Sequence, residues 1–187
     1  MKRWKATWIV LGILALLAAY VLLIETKRQP TPSDPDDPEA APTPVPLLEL
    51  EVSNIQSLHI DGGERTLHVE RKGKTWWVTM PENREADFYS VHLALEDLAR
   101  LEATRVLLEQ VSDLAEYGLA PAHLTLSIQS LSGQEKIAVG RQTPDGMHYY
   151  VQRHGDARLY LVRQYVLQPF FNWLHQPPYP LVPTPET

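Results

Sequence analysis

The chain of 187 residues contains no cysteine. That excludes disulfides, thiol nucleophiles, thiolate-bound metals and a lipidated cysteine as a membrane anchor, although it leaves the compartment open. A surplus of positive charge is missing too. Seventeen Lys and Arg stand against 23 Asp and Glu, a net charge of −6, so the electrostatic footprint of a nucleic-acid binder is absent. No glycine-rich loop leads into Lys and Ser or Thr, which argues against an intrinsic ATPase. Ser57, Ser90, Ser127, Ser130 and Ser132 stand outside any tight Gly-flanked elbow, which argues against a serine hydrolase.

The most uneven feature present is the apolar content. From Trp8 to Ile24 there are seventeen residues without a charge (WIVLGILALLAAYVLLI), extended by Ala6 and Thr7. A bilayer needs about 20 such residues at 1.5 Å each. The run ends in Glu25-Thr26-Lys27-Arg28 without the small-x-small site of a cleaved signal peptide, so an uncleaved transmembrane anchor over residues 6–25 is expected. Lys2, Arg3 and Lys5 precede it, and only Lys27 and Arg28 follow. The positive-inside rule then places residues 1–5 in the cytoplasm and the remainder outside, anchored in the inner membrane by one pass through the lipid bilayer.

Residues 26–46 form a Pro- and Asp-rich linker, with seven prolines between Gln29 and Pro46 and no aromatic residue. Such a segment buries too little apolar surface to fold and spaces by roughly 3.1 Å per residue, on the order of 50 Å when extended.

A folded domain is predicted over residues 47–176. Segments 55–60, 66–71 and 75–80 alternate with period two and are separated by Asp61-Gly62-Gly63 and Lys72-Gly73-Lys74, the pattern of an antiparallel meander. Asp87 is placed to cap a helix whose face is Phe88, Val91, Leu95 and Leu98. Residues 104–110 read as extended. Four further strands are predicted at 124–131, 135–140, 147–153 and 158–163, then a short helix at 169–174 with Pro169 in its first turn. The class is α+β: antiparallel meander sheets with one long and one or two short helices, preceded by the anchor and the linker. The tetrapeptide IQSL occurs at both 55–58 and 128–131, which is suggestive of an internal duplication.

Between the two strand groups stands LAEYGLAP, residues 114–121. Ser112 or Asp113 can cap one helical turn of Leu114, Ala115 and Glu116. Gly118 is the residue suited to a positive φ past the helix end, where a side chain costs about 1 kcal/mol. Leu119 is expected to fold back over the turn, Pro121 to stop the helix resuming, and Tyr117 to lay its ring on the domain. The stretch reads as a helix terminator joining two halves.

These features together resemble a known family. The anchor, spacer and Trp-bearing meander, Ala86-Asp87 at the helix start, Asp113-Leu114-Ala115-Glu116-Tyr117-Gly118-Leu119 followed by Pro121, and later Val139-Gly140 and Tyr150-Val151, are similar to the bacterial family with domain of unknown function 4340 over about residues 50–175. The resemblance implies a membrane-anchored protein often encoded beside ABC-type export systems like the auxiliary machinery of gliding motility. It transfers no catalytic residue and no cofactor.

Other side chains carry metal-ligand chemistry. His92 and Glu96 lie four apart on the predicted helix, His148, His154 and Asp156 fall around one hairpin, and His59 and His68 lie on neighbouring strands. Each set carries metal-ligand types, but each reads first as an ordinary solvated surface; His68 in particular should point outward beside Glu70. Trp76-Trp77 puts one indole on each face of its strand. Trp77, Tyr149 and Tyr179 form the candidate interaction surface, with Tyr150 and Tyr160 as further rings for a ligand- or glycan-binding module. The Pro-rich tail, 177–187, reads as a polyproline ligand or as a strap. The leading expectation is a non-enzymatic accessory subunit docking onto a membrane-protein partner of an envelope transporter; a binding module and a metal-dependent hydrolase are its alternatives.

Overall fold

The computed structural model describes residues 44–180; the predicted anchor, the linker up to residue 43 and residues 181–187 lie outside it. The described chain runs β1 (Val45–Pro46), a 3-10 turn (Val52–Asn54), β2 (Ile55–Asp61), β3 (Thr66–Lys72), β4 (Thr75–Met80), β5 (Arg84–Glu85), α1 (Phe88–Ala99), β6 (Glu102–Ala103), β7 (Arg105–Leu108), β8 (Leu124–Ser130), β9 (Gly133–Gln142), β10 (His148–Arg153), β11 (Leu159–Arg163) and α2 (Gln164–Trp173). It is an α+β arrangement of antiparallel sheets and two helices, α1 the longer.

Nine strands form one sheet in the order β5-β4-β3-β2-β8-β9-β10-β11-β7, while β1 and β6 pair separately. The two predicted groups of strands are thus parts of one sheet. They meet where β2 pairs with β8, and the two IQSL segments lie against each other there: Ile55 faces Ser130, Ser57 faces Gln129 and Leu58 faces Ile128. On either side of this seam the chain runs through four successive strands into a helix.

Period-two alternation sorts the sheet into two faces. Val78, Val69, Leu58 and Ile128 form one buried row, Leu67, Ile60, Leu126 and Ile137 the next, and Leu124, Val139, Val151 and Tyr160 a third. The inward residues of α1 (Val91, Leu95, Leu98) and of α2 (Leu167, Phe170, Trp173) join them in one core. The opposite rows are polar and partly or fully exposed, for example His68, His59, Ser127 and Lys136.

Three features differ from the sequence reading: the start of α2, the burial of Phe88 and the end of the linker. Helix α2 begins at Gln164 rather than at Pro169, which therefore stands inside it. Pro169 offers no N–H to the preceding turn. Burial of Leu167, Phe170 and Trp173 at spacings of three outweighs that loss, at about 1.5–3 kcal/mol for each large apolar side chain. Phe88, placed by periodicity in the core, is exposed. Ala94 and Ala99 complete the inward arc of α1 instead, while Phe88 stacks on His92. Val45–Pro46, read as the end of the linker, pair with β6, and the amides of Leu47 and Leu48 donate to Leu101. At the other end Pro178 is buried and accepts from the Asp87 amide at 2.7 Å, so residues 177–180 form a strap across the start of α1.

Candidate functional site

Asp113 builds the LAEYGLAP turn. Its Oδ1 accepts from the amides of Ala115 at 2.9 Å and Glu116 at 3.4 Å. The amide of Gly118 donates to Ala115 and that of Leu119 to Leu114. One wrap of chain results, a turn rather than the expected α-helix, because no preceding helical residues extend it. Gly118 has φ +69°, as the motif requires, and Leu119 is buried. Beyond it Leu119 and Ala122 bridge around Pro121.

The turn rests on the second face of the sheet, over β9 and β10. The amide of Arg141 donates to the Tyr117 carbonyl at 2.9 Å, and its guanidinium donates to the carbonyls of Ala115 and Glu116. Three consecutive carbonyls are therefore satisfied by one residue, which the sequence reading passed over. Its only sequence signal was its place directly after Val139-Gly140. The Tyr117 ring meets Tyr150 edge-on, with centroids 5.0 Å apart. Between this turn and the β2–β3 turn lies a cleft of about 590 Å³, lined by small residues such as Gly62, Gly63, Gly118 and Ala122, with His123 at its wall.

The aromatic candidates separate. Trp76 is fully buried, while Trp77 is half-buried on the polar face, with the Lys72 ammonium 4.9 Å from its ring centre and its Nε1 donating to Thr75. Tyr149 offers no surface ring. Alternation turns it inward, where it stacks on Phe171 at 4.9 Å, and burial pushes its hydroxyl pKa up. Tyr160 is buried as well, whereas Tyr150 is half-buried on the polar face against Tyr117. Tyr179 is half-buried beneath the Arg84 guanidinium, 4.3 Å from its ring centre.

Asp156 is held by an electrostatic network. Arg158 grips its carboxylate with two nitrogens and the Tyr160 hydroxyl donates to it at 2.6 Å. The Arg158 bonds hold the Asp156 carboxyl well below the usual carboxylate range, and burial together with the Asp156 contact pushes Tyr160 up to about 12. Asp156 is thereby committed to Arg158 and Tyr160, and His148 and His154 stand at opposite ends of β10. His92 sits 3.4 Å from Glu96 beside the Phe88 ring. Among the described residues, no three His, Asp or Glu side chains gather as a metal-holding group.

His59 and His68 face each other directly across β2 and β3, with ring centres 5.8 Å apart and planes perpendicular. Burial, then the neighbouring His59, lowers the His68 pKa, while Glu70 opposes them. On the outer side of α1, Tyr89 (76% exposed) and Leu93 (62%) stand one turn apart next to Phe88 (41%).

The family described as domain of unknown function (DUF4340) matches residues 76–179, from within β4 to the strap and including the turn. No curated protein and no solved structure matches the chain.

Proposed function

The chain belongs to the family of the domain of unknown function DUF4340, and on that premise we propose that it is a non-enzymatic, single-pass membrane protein whose extracytoplasmic domain docks onto a partner within an envelope ABC-type transport assembly. The observation that carries this reading is the outward side of α1. Tyr89 and Leu93 form an apolar stripe there, although the inward side of the same helix already supplies the core. Taking each such side chain out of water contributes about 1.5–3 kcal/mol. Two of them are enough for roughly a hundredfold in affinity, at 1.4 kcal/mol per tenfold.

The occupant of this stripe is an integral-membrane transporter subunit. The uncharged run at Trp8–Ile24 would hold the protein in the same bilayer as such a subunit, and a spacer on the order of 50 Å gives the domain reach above the membrane. The test is purification of the intact protein from native membranes in mild detergent, with a photo-crosslinking residue at Leu93. Co-purification and crosslinking of a transporter membrane subunit, both lost in the Tyr89→Ser, Leu93→Ser double variant, is the expected result. Recovery of the protein alone would overturn the reading.

A further inference from the structure

We propose that His59 and His68 form a cross-strand chelate for a divalent transition-metal ion that favours imidazole, Zn2+ or Cu2+, on the polar face of the sheet. The first ground is register. The two residues are direct partners in the β2–β3 ladder, where opposed Cβ atoms stand about 4.5–5.5 Å apart, and both belong to the face away from the helices.

The second ground is reach. Imidazole nitrogen binds zinc at about 2.0–2.1 Å, and the ring centre lies roughly 1 Å behind that nitrogen, so two imidazoles on one ion have centres about 5–6 Å apart. The observed 5.8 Å falls in that interval. Perpendicular planes are compatible with a shared ion, because metal–nitrogen bonds do not fix the dihedral angle between two imidazoles.

The third ground is an orphan nitrogen. His68 Nε2 is buried and has no hydrogen-bond partner among the described residues. A buried polar atom left that way costs about 1–3 kcal/mol, and an ion shared with His59 would remove the deficit. His92 Nδ1 is likewise buried without a partner, but its Nε2 lies against Glu96 and the residue stands alone on α1, while His175 bonds with Arg65; of these only His68 has a second imidazole directly opposite.

Two ligands make an open site. The remaining coordination positions would be filled by water or by an incoming donor, reached from the exposed side of His59, since His68 Nε2 is itself covered. Paired imidazoles select zinc, copper or nickel over magnesium or calcium, which prefer oxygen donors. The inference is independent of the docking stripe on α1, which lies on the helix-covered side of the sheet.

The experiment is calorimetric titration of the untagged full-length protein in detergent, after chelator treatment, with ZnCl2 and with CuCl2. One ion per chain is expected. His59→Asn and His68→Asn should each weaken binding by at least about tenfold, since even outer-shell partners of metal ligands are worth 10–100-fold. His92→Asn and His154→Asn should leave it unchanged. The Cu2+ form should show coupling to two nitrogens by electron paramagnetic resonance, lost in either strand variant. His59→Gln serves as a second variant should one asparagine substitution disturb folding. No stoichiometric binding, or the same affinity in the His59 and His68 variants as in the parent, would overturn the proposal.

Discussion

The carbonyl of Tyr117 sits directly on Gly140. A Cβ placed at Gly140 would run into that oxygen, and the next amide, Arg141, donates to it at 2.9 Å. The turn and β9 are thus joined backbone to backbone, with no side chain in between. Gly140→Ala should destabilise the protein by about 1–3 kcal/mol or more, the usual cost of overpacking against atoms that cannot move aside. Denaturant unfolding measures it, and an unchanged midpoint would show that the turn lifts off without loss.

Gly118→Ala acts through a different term. Its positive φ costs a non-glycine residue about 1–2 kcal/mol, and the added Cβ would lie 3.0 Å from the Arg141 amide nitrogen and 3.1 Å from His123 Nε2. Gly118→Asn lowers only the conformational cost and keeps the Cβ crowding, so it should also destabilise, and an Asn variant milder than Ala would show that φ rather than crowding dominates. An alanine variant as stable as the parent would refute the stated geometry. The order of the two variants in unfolding midpoint is the discriminating measurement.

Asp156 provides a pH dependence with a defined sign. Its folded carboxyl titrates well below the ordinary 3.8, so its contribution is fully present above that value and is lost as pH falls below it toward the folded pKa. Asp156→Asn should cost about 1.5–3 kcal/mol at neutral pH by removing charged hydrogen bonds from Arg158 and Tyr160. It should also flatten the fall in unfolding midpoint below pH 4. Parallel pH profiles for parent and variant would disprove the assignment.

The adjacent tryptophans should respond unequally. Trp76→Ala is expected to cost about 3–5 kcal/mol as a fully buried truncation, and Trp77→Ala about 1 kcal/mol or less. Trp76→Phe should be gentler than its area suggests. The buried Nε1 of Trp76 has no partner among the described residues, so the substitution also removes an unsatisfied donor. Equal losses at positions 76 and 77 would mean the strand's two faces are misassigned.

Much of the domain was legible in the sequence because its signals are local. Strands β2, β3 and β4 fall within one residue of their predicted bounds, since alternation and the intervening Gly turns are read within a few residues. Asp87 caps α1 through Ser90, as its position before an apolar period implied. Gly118 takes the positive φ that its place after the LAEY turn called for. What misled were features that depend on distant partners. The start of α2 was hidden because Pro169 is a local stop signal overruled by burial at Leu167, Phe170 and Trp173. Arg141 was passed over because its three acceptors lie about 25 residues earlier in the chain.

By itself the sequence determined the α+β class, the alternation that puts Trp76 and Trp77 on opposite faces, the cap at Asp87 and the left-handed glycine at 118. Each follows from backbone sterics and hydrogen bonding within one turn or one strand. Only the tertiary structure decided that the two IQSL strands pair with each other, that Tyr149 is packed on Phe171 while Tyr89 stands free in solvent, and that His59 meets His68 ring to ring. Pairing and packing are set by which surfaces meet, and a periodic pattern specifies a face without specifying its neighbour.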